Sequence, residues 1–138
     1  MAFATSQFVR EQGSHMKVYL AARYHRLGEL RRYADELQRM GHSVTSRWLK
    51  ANSPASGSLD EPEWAELAQH DVEDAMAADA VVLFAEGERG GGGGRHVEFG
   101  IGLGLGKRLI VVGRAEHFFH TLPAVEVYRD WEAAISAL

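Results

Sequence analysis

Two carboxylates interrupt apolar patterns in this chain, and both carry chemistry worth testing. Glu98 lies in Val97-Glu98-Phe99-Gly100, in what reads as the first turn of a helix, on a face shared with Ile101, Gly102 and Leu105. The positive end of the helix dipole would favour its ionised form there by ~0.3–1 kcal/mol. A structural role for such an acid is N-terminal capping. A chemical role is attack on an anomeric carbon, which needs an ionised carboxylate in a crevice. Asp71 repeats the anomaly. On a helical wheel it falls between Leu67 and Ala75, at the centre of an apolar face, whereas Glu73 points away. A buried carboxylate must be paired, hydrogen-bonded or put to use. Two inward carboxylates from separate helices make the general constellation of a glycosyl-transfer site. Asp79, at a helix end before a strand, suits a structural bond to backbone amides.

Other residues could bind around such a centre. Arg23 follows an expected strand and suits a phosphate or a sugar hydroxyl, while Arg47 and Trp48 close the next one with a cation and a stacking surface. The five-glycine run 90–94, with Gly92 and Gly94, precedes a helix; its bare N–H groups would admit a phosphate or sugar, although the same composition also makes a plain surface loop. Two phosphate motifs are excluded. Gly100, Gly102, Gly104 and Gly106 alternate out of the G-x-G-x-x-G register, and Gly106-Lys107 lacks the upstream glycine of a P-loop. The alternating glycines instead thin a helix for close packing on a sheet. His117 and His120 share helical spacing without a convincing third ligand and are read as structural; no metal and no cofactor is expected.

The elements that must position these groups follow from periodicity. Short apolar runs alternate with amphipathic stretches from Met16 onward, the pattern of β-α-β units. Residues 17–22 read as a strand, followed by a helix through Leu27, Leu30, Ala34, Leu37 and Met40 that ends at Gly41. Residues 43–49 read as a second strand, and the Ser/Gly/Pro-rich loop 51–58 as a segment able to close over a ligand. Asp60 and Glu63 have capping-box spacing before a helix to Ala78 whose apolar members are Trp64, Leu67, Ala68, Val72, Ala75 and Met76. The fully apolar runs 80–85 and 108–113 read as central parallel strands, with a helix from Arg95 to Gly106 between them. Asp130 caps a last helix. The fold class is α/β: a doubly wound three-layer α/β/α domain, Rossmann-like or flavodoxin-like, with a mainly parallel sheet of about five strands. Its ligand crevice lies beyond the carboxyl ends of the strands.

Composition bounds the function. With 138 residues and 46% apolar content, one domain is expected. Gly13-Ser14-His15-Met16 resembles a cloning-vector scar, so residues 1–15 are expected to lie outside the fold and 16–138 to form the domain. A formal charge of -4 without a long basic block argues against a nucleic-acid partner. The absence of cysteine excludes disulfides and thiolate sites. No apolar run approaches the ~20 residues of a membrane span. A soluble, cytoplasmic protein is expected.

Taken in order, Lys17-Val18-Tyr19-Leu20-Ala21, His70-Asp71, Ala78-Asp79-Ala80-Val81-Val82, Val97-Glu98-Phe99-Gly100 and Gly106-Lys107 resemble the nucleoside 2-deoxyribosyltransferase family, including its deoxynucleoside 5'-monophosphate N-glycosidase relatives. The resemblance implies a retaining displacement in which Glu98 is the nucleophile, Tyr19 positions it, and Asp71 belongs to the active site. It also implies that Ala21 and Arg23 belong to the loop around a 5'-phosphate, helped by Arg47, His96 or the glycine loop. The partner is then a small nucleoside or nucleotide, and the assembly a homodimer or higher homo-oligomer with the segment 118–123 near a subunit contact. Two departures matter. The aspartate that handles the base in the transferases has only glycines and Arg95-His96 in its place, which favours hydrolysis over transfer. The serine-rich phosphate loop of the monophosphate hydrolases is replaced by Ala21-Ala22-Arg23-Tyr24-His25. Base transfer, an NAD-type glycohydrolase or phosphoribohydrolase, and a non-catalytic nucleotide-sensing module stay open as alternatives.

Overall fold

A computed structural model describes residues 15–50, 61–87 and 93–138. Asp60 of the expected capping box, the loop 51–58 and Gly92 lie outside them. Five parallel strands, β1 (Lys17–Ala21), β2 (Ser43–Val44), β3 (Ala80–Phe84), β4 (Arg108–Val112) and β5 (Val125–Tyr128), form one sheet in the order β2-β1-β3-β4-β5. Four helices join them: α1 (Leu27–Arg39), α2 (Glu61–Ala77), α3 (Gly94–Gly104) and α4 (Trp131–Ala137). This is the flavodoxin-like strand order, whose switch point lies between β1 and β3.

Strand parity decides which residues can meet. Val18, Leu20, Val82, Phe84, Ile110 and Val112 pack with α1 and α4 on one face. Tyr19, Ala21, Val81, Leu83, Leu109 and Val111 pack with Ala75, Ala78 and Phe99 on the other, beneath α2 and α3. Side chains alternate across a strand, so Tyr19 is directed to the face that carries both candidate carboxylates. The fully buried β3, apolar throughout, is the central strand expected.

Gly102 sets how closely α3 approaches that face. A Cβ there would come 2.8 Å from Val81 Cγ2 and 3.0 Å from Leu109 Cδ2, whereas one at Gly100 or Gly104 would meet nothing within 4 Å. Only one of the alternating glycines is therefore needed for close packing inside the helix. Gly41 ends α1 with φ 93°, a conformation suited to glycine. The Asp130 side chain accepts from the Ala133 N–H at the start of α4.

Two expectations are corrected. β2 stops at Val44, and Arg47–Lys50 form a 3-10 turn rather than the end of a strand. The reason lies in the hydrogen bonds of β1: Ser46 Oγ accepts from the Leu20 N–H (2.7 Å) and Trp48 Nε1 donates to the Leu20 carbonyl (2.8 Å), so side chains occupy the positions a longer β2 would have filled. The apolar face read for α2 is also only partly buried. Trp64, Leu67, Ala68 and Met76 are exposed, while Ala75 is buried and Val72 half-buried. Seventeen helical residues span roughly 25 Å at 1.5 Å each, whereas a five-residue strand spans about 17 Å, so part of the helix lies beyond the strands it covers.

Candidate active site

The middle of β1 and the second turn of α3 meet at Tyr19 and Glu98. Glu98 is the fifth residue of α3, not a first-turn residue as the sequence suggested, so the helix dipole gives it less than expected. It belongs to the buried face Arg95-Glu98-Phe99-Gly102, and the close approach at Gly102 draws that face onto the sheet. Glu98 is 8% exposed, and its Oε2 accepts a hydrogen bond from the Tyr19 hydroxyl. Burial pushes the Glu98 carboxyl up to about 8; the Tyr19 hydrogen bond pulls it down, and the charge of Asp71 pushes it up further. Tyr19 is itself held well above the ordinary tyrosine range, first by burial and then by the charges of Glu98 and Asp71. It therefore stays a neutral donor.

Asp71 approaches from α2. It is half-buried, and burial followed by the neighbouring Asp74 raises its carboxyl to about 6, against the pull of His70, Arg47 and the Tyr19 hydroxyl. Tyr19, Asp71 and Glu98 thus form one electrostatic group on the α2/α3 face of the sheet. The buried Asp74, one turn beyond Asp71, was not singled out from sequence. It receives the Arg47 backbone N–H (2.9 Å) and Arg47 Nε (2.9 Å), and Arg47 also reaches Glu73 (3.0 Å). The spacing of three from Asp71 was its one available signal. The guanidinium of Arg47 is therefore turned to α2 and clamps the 3-10 turn against that helix. Asp79 accepts from the Lys17 N–H (2.9 Å), the structural role expected of it.

The remaining candidates divide into two groups. Ala21 ends β1, paired with Leu83, and is fully buried. Arg23 follows it, partly buried, at the start of the 3-10 turn Tyr24–Arg26, and the rings of Tyr24 and Trp48 stand 6.4 Å apart at the same strand end. These residues surround the carboxyl end of β1 at the switch point. Gly94 is the exposed first residue of α3. His96 lies elsewhere: two residues from Glu98 is about 200° around a helix, and it faces His117 and His120 across the opposite flank of α3. Arg95, also missed, is 2% exposed and ion-paired to Glu116 (3.0 Å), whose other oxygen accepts from the Glu86 N–H (3.1 Å). That carboxylate ties together the residues before and after the glycine loop. Among the described residues, no group of three or more His, Asp or Glu side chains is arranged to hold a metal ion, and no helix is long and apolar enough to cross a membrane.

No protein-family model and no curated protein matches the chain. Among solved structures, the CMP N-glycosidase BcmB of Clostridium botulinum is similar, with 18% identity and a TM-score of 0.53 over 88% of this chain and 96% of that one. At this identity the likeness establishes a shared three-layer α/β/α fold.

Proposed function

We propose that the chain hydrolyses the N-glycosidic bond of a nucleoside 5'-monophosphate or nucleoside through a covalent glycosyl-Glu98 intermediate. The observation that carries the reading is the buried Glu98 carboxyl, held by the Tyr19 hydroxyl beside Asp71 at the β1/β3 switch point. The fold neighbour, named a CMP N-glycosidase, supports this substrate class.

With one carboxyl titrating at about 6 and the other at about 8, the pair holds one proton near neutrality. That proton rests mostly on Glu98, and the reactive arrangement is the minor one in which it has passed to Asp71 and Glu98 is ionised. A Glu98 oxygen attacks the anomeric carbon as its bond to the base nitrogen breaks. The electron pair leaves with the base, which takes the Asp71 proton. Water then attacks the same carbon, Asp71 accepts the water proton, and the ester bond returns its electrons to Glu98. The Tyr19 hydroxyl keeps the attacking oxygen in place, and burial leaves the carboxylate poorly solvated. Arg23 is the group suited to a 5'-phosphate, and the Tyr24–Trp48 pair to a flat wall.

The chain is also read as a homo-oligomer. Trp64, Met76 and Val97, on α2 and α3, are 59%, 50% and 61% exposed, apolar side chains of the kind a second copy would cover; sedimentation should show a dimer or larger.

The deciding test is chromatographic. Nucleosides, their 5'-monophosphates and NAD are incubated with the protein, with and without an acceptor base, and released base is measured. Hydrolysis predicts base release without an acceptor and none with Glu98→Ala. Unchanged turnover in that variant would eliminate the mechanism, and product only with acceptor present would make the protein a transferase.

A further inference from the structure

The flank of α3 turned away from Glu98 carries a separate cavity of about 280 Å3, near the small end of the ~300–1,000 Å3 range for ligand sites. His96, Phe99 and Leu103 of α3 form one side, and His117, Phe119 and His120, at and within the 3-10 turn Phe118–Thr121, form the other. The three imidazole rings stand 5.8, 5.9 and 6.1 Å apart, centre to centre.

Hydrogen bonding fixes the protons on these rings. His117 Nδ1 accepts from the Phe119 N–H (3.3 Å), His120 Nδ1 from the Glu116 N–H (3.2 Å), and His96 Nε2 from Arg95 Nη1 (2.9 Å). Each bond uses the lone pair of that nitrogen, so in a neutral ring the proton sits on the other one. The cavity is therefore lined by three rings whose remaining nitrogens are donors, an arrangement that suits hydrogen-bond acceptors and not a cation.

The charges behind the lining are balanced. Arg95 is ion-paired to Glu116, so their opposite charges offset one another; burial pushes His96 and His120 below the ordinary histidine range. Flat surfaces complete it: His117 stacks on Phe119 at 5.3 Å and 5°, and Phe99 meets His120 edge-on at 5.0 Å.

We propose that this cavity is a second binding site, for a neutral planar heterocycle whose carbonyl oxygens or unprotonated ring nitrogens accept from His96, His117 and His120 while its faces lie against Phe99 and Phe119. A free nucleobase has this chemistry. The inference stands apart from the reaction assigned to Glu98, because it requires binding and no turnover.

The experiment titrates uracil into full-length protein carrying Glu98→Gln, reading histidine ring nitrogens by NMR, with toluene as a flat probe that lacks acceptors. Saturable shifts at His96, His117 and His120 are expected, with toluene at least tenfold weaker. Phe119→Ser removes an exposed wall. His117→Asn removes the imidazole while its side-chain oxygen can still cap the Phe119 N–H. Each should weaken uracil at least tenfold in protein whose backbone spectrum is otherwise unchanged. Toluene binding as tightly as uracil would overturn the donor role. Uracil binding unaffected by both substitutions would place it in the crevice and overturn the site, as would an absence of saturable shifts.

Discussion

Replacing Glu98 with Gln should make the protein more stable, and only above mildly acidic pH. Burial raises this carboxyl from 4.5 to about 8 in the folded chain. Between those values the folded state holds a proton that the unfolded state has released, so wild-type stability falls as pH rises through the interval and levels off above it. Each pH unit crossed is worth ~1.4 kcal/mol, and the whole interval amounts to a few kcal/mol. The Gln side chain is neutral at every pH and can still accept from the Tyr19 hydroxyl. Asp71 stays in both proteins, so its own loss of stability between 3.8 and about 6 largely cancels in the comparison. Melting curves for the two proteins should therefore nearly coincide at pH 5 and diverge by on the order of 10 °C at pH 9, taking roughly 4 °C per kcal/mol for a domain of this size. The same preparations should show base release in the wild type and none in the variant. Parallel melting profiles from pH 5 to 9 would mean that Glu98 is not a desolvated acid, and the proton-sharing mechanism would go with it.

Asp71→Asn should lower kcat by about 10²–10⁴-fold, the usual contribution of a proton donor, with no loss of melting temperature, because the same linkage makes the ionised Asp71 carboxyl a cost to the fold. The wild-type kcat/KM profile should be a bell with limbs near pH 6 and 8, and the variant should lose the alkaline fall; an unchanged bell would remove Asp71 from the chemistry. Arg23→Ala should raise KM for a monophosphate ~10-fold or more while sparing the nucleoside, since a charge-assisted hydrogen bond is worth roughly 1.5–3 kcal/mol; equal effects on both substrates would assign Arg23 to the sugar or the fold. Gly102→Ala should destabilise by ~1–3 kcal/mol through its clash with Val81 and Leu109, whereas Gly100→Ala should not, as urea melts would show.

The layered fold was legible because its signals are local. Apolar runs marked β3 and β4, and Gly41 and Asp130 marked helix ends by backbone and capping geometry. The burial of Glu98 was legible to the extent that an acid stood on an apolar helix face. The details of the site were not. A wheel gives the direction of an apolar arc but not where the helix overruns the sheet, so Asp71 read as central when Trp64 and Leu67 beside it are exposed. Glu98 was assigned a dipole contribution, but α3 begins at Gly94, and burial with the Tyr19 hydrogen bond governs its charge instead. Arg95 and Glu116 are far apart in sequence, and no periodicity brings such residues together.

The short β2 shows how a departure from regular structure serves the crevice. Had residues 43–49 continued as a strand, the Leu20 amide and carbonyl would have been matched by backbone, and alternate side chains from 45 to 49 would have pointed above and below the sheet. Because Ser46 and Trp48 supply those bonds from side chains, the chain turns at Arg47. Arg47 then joins Asp74 on α2, and the Trp48 ring comes beside Tyr24 at the end of β1. One irregular turn thereby links the sheet, the helix bearing Asp71 and the aromatic wall beside Arg23. Under the proposed reaction, a substrate against that wall would present its reacting carbon toward Tyr19 and Glu98, on the face of the sheet to which strand parity directs Tyr19.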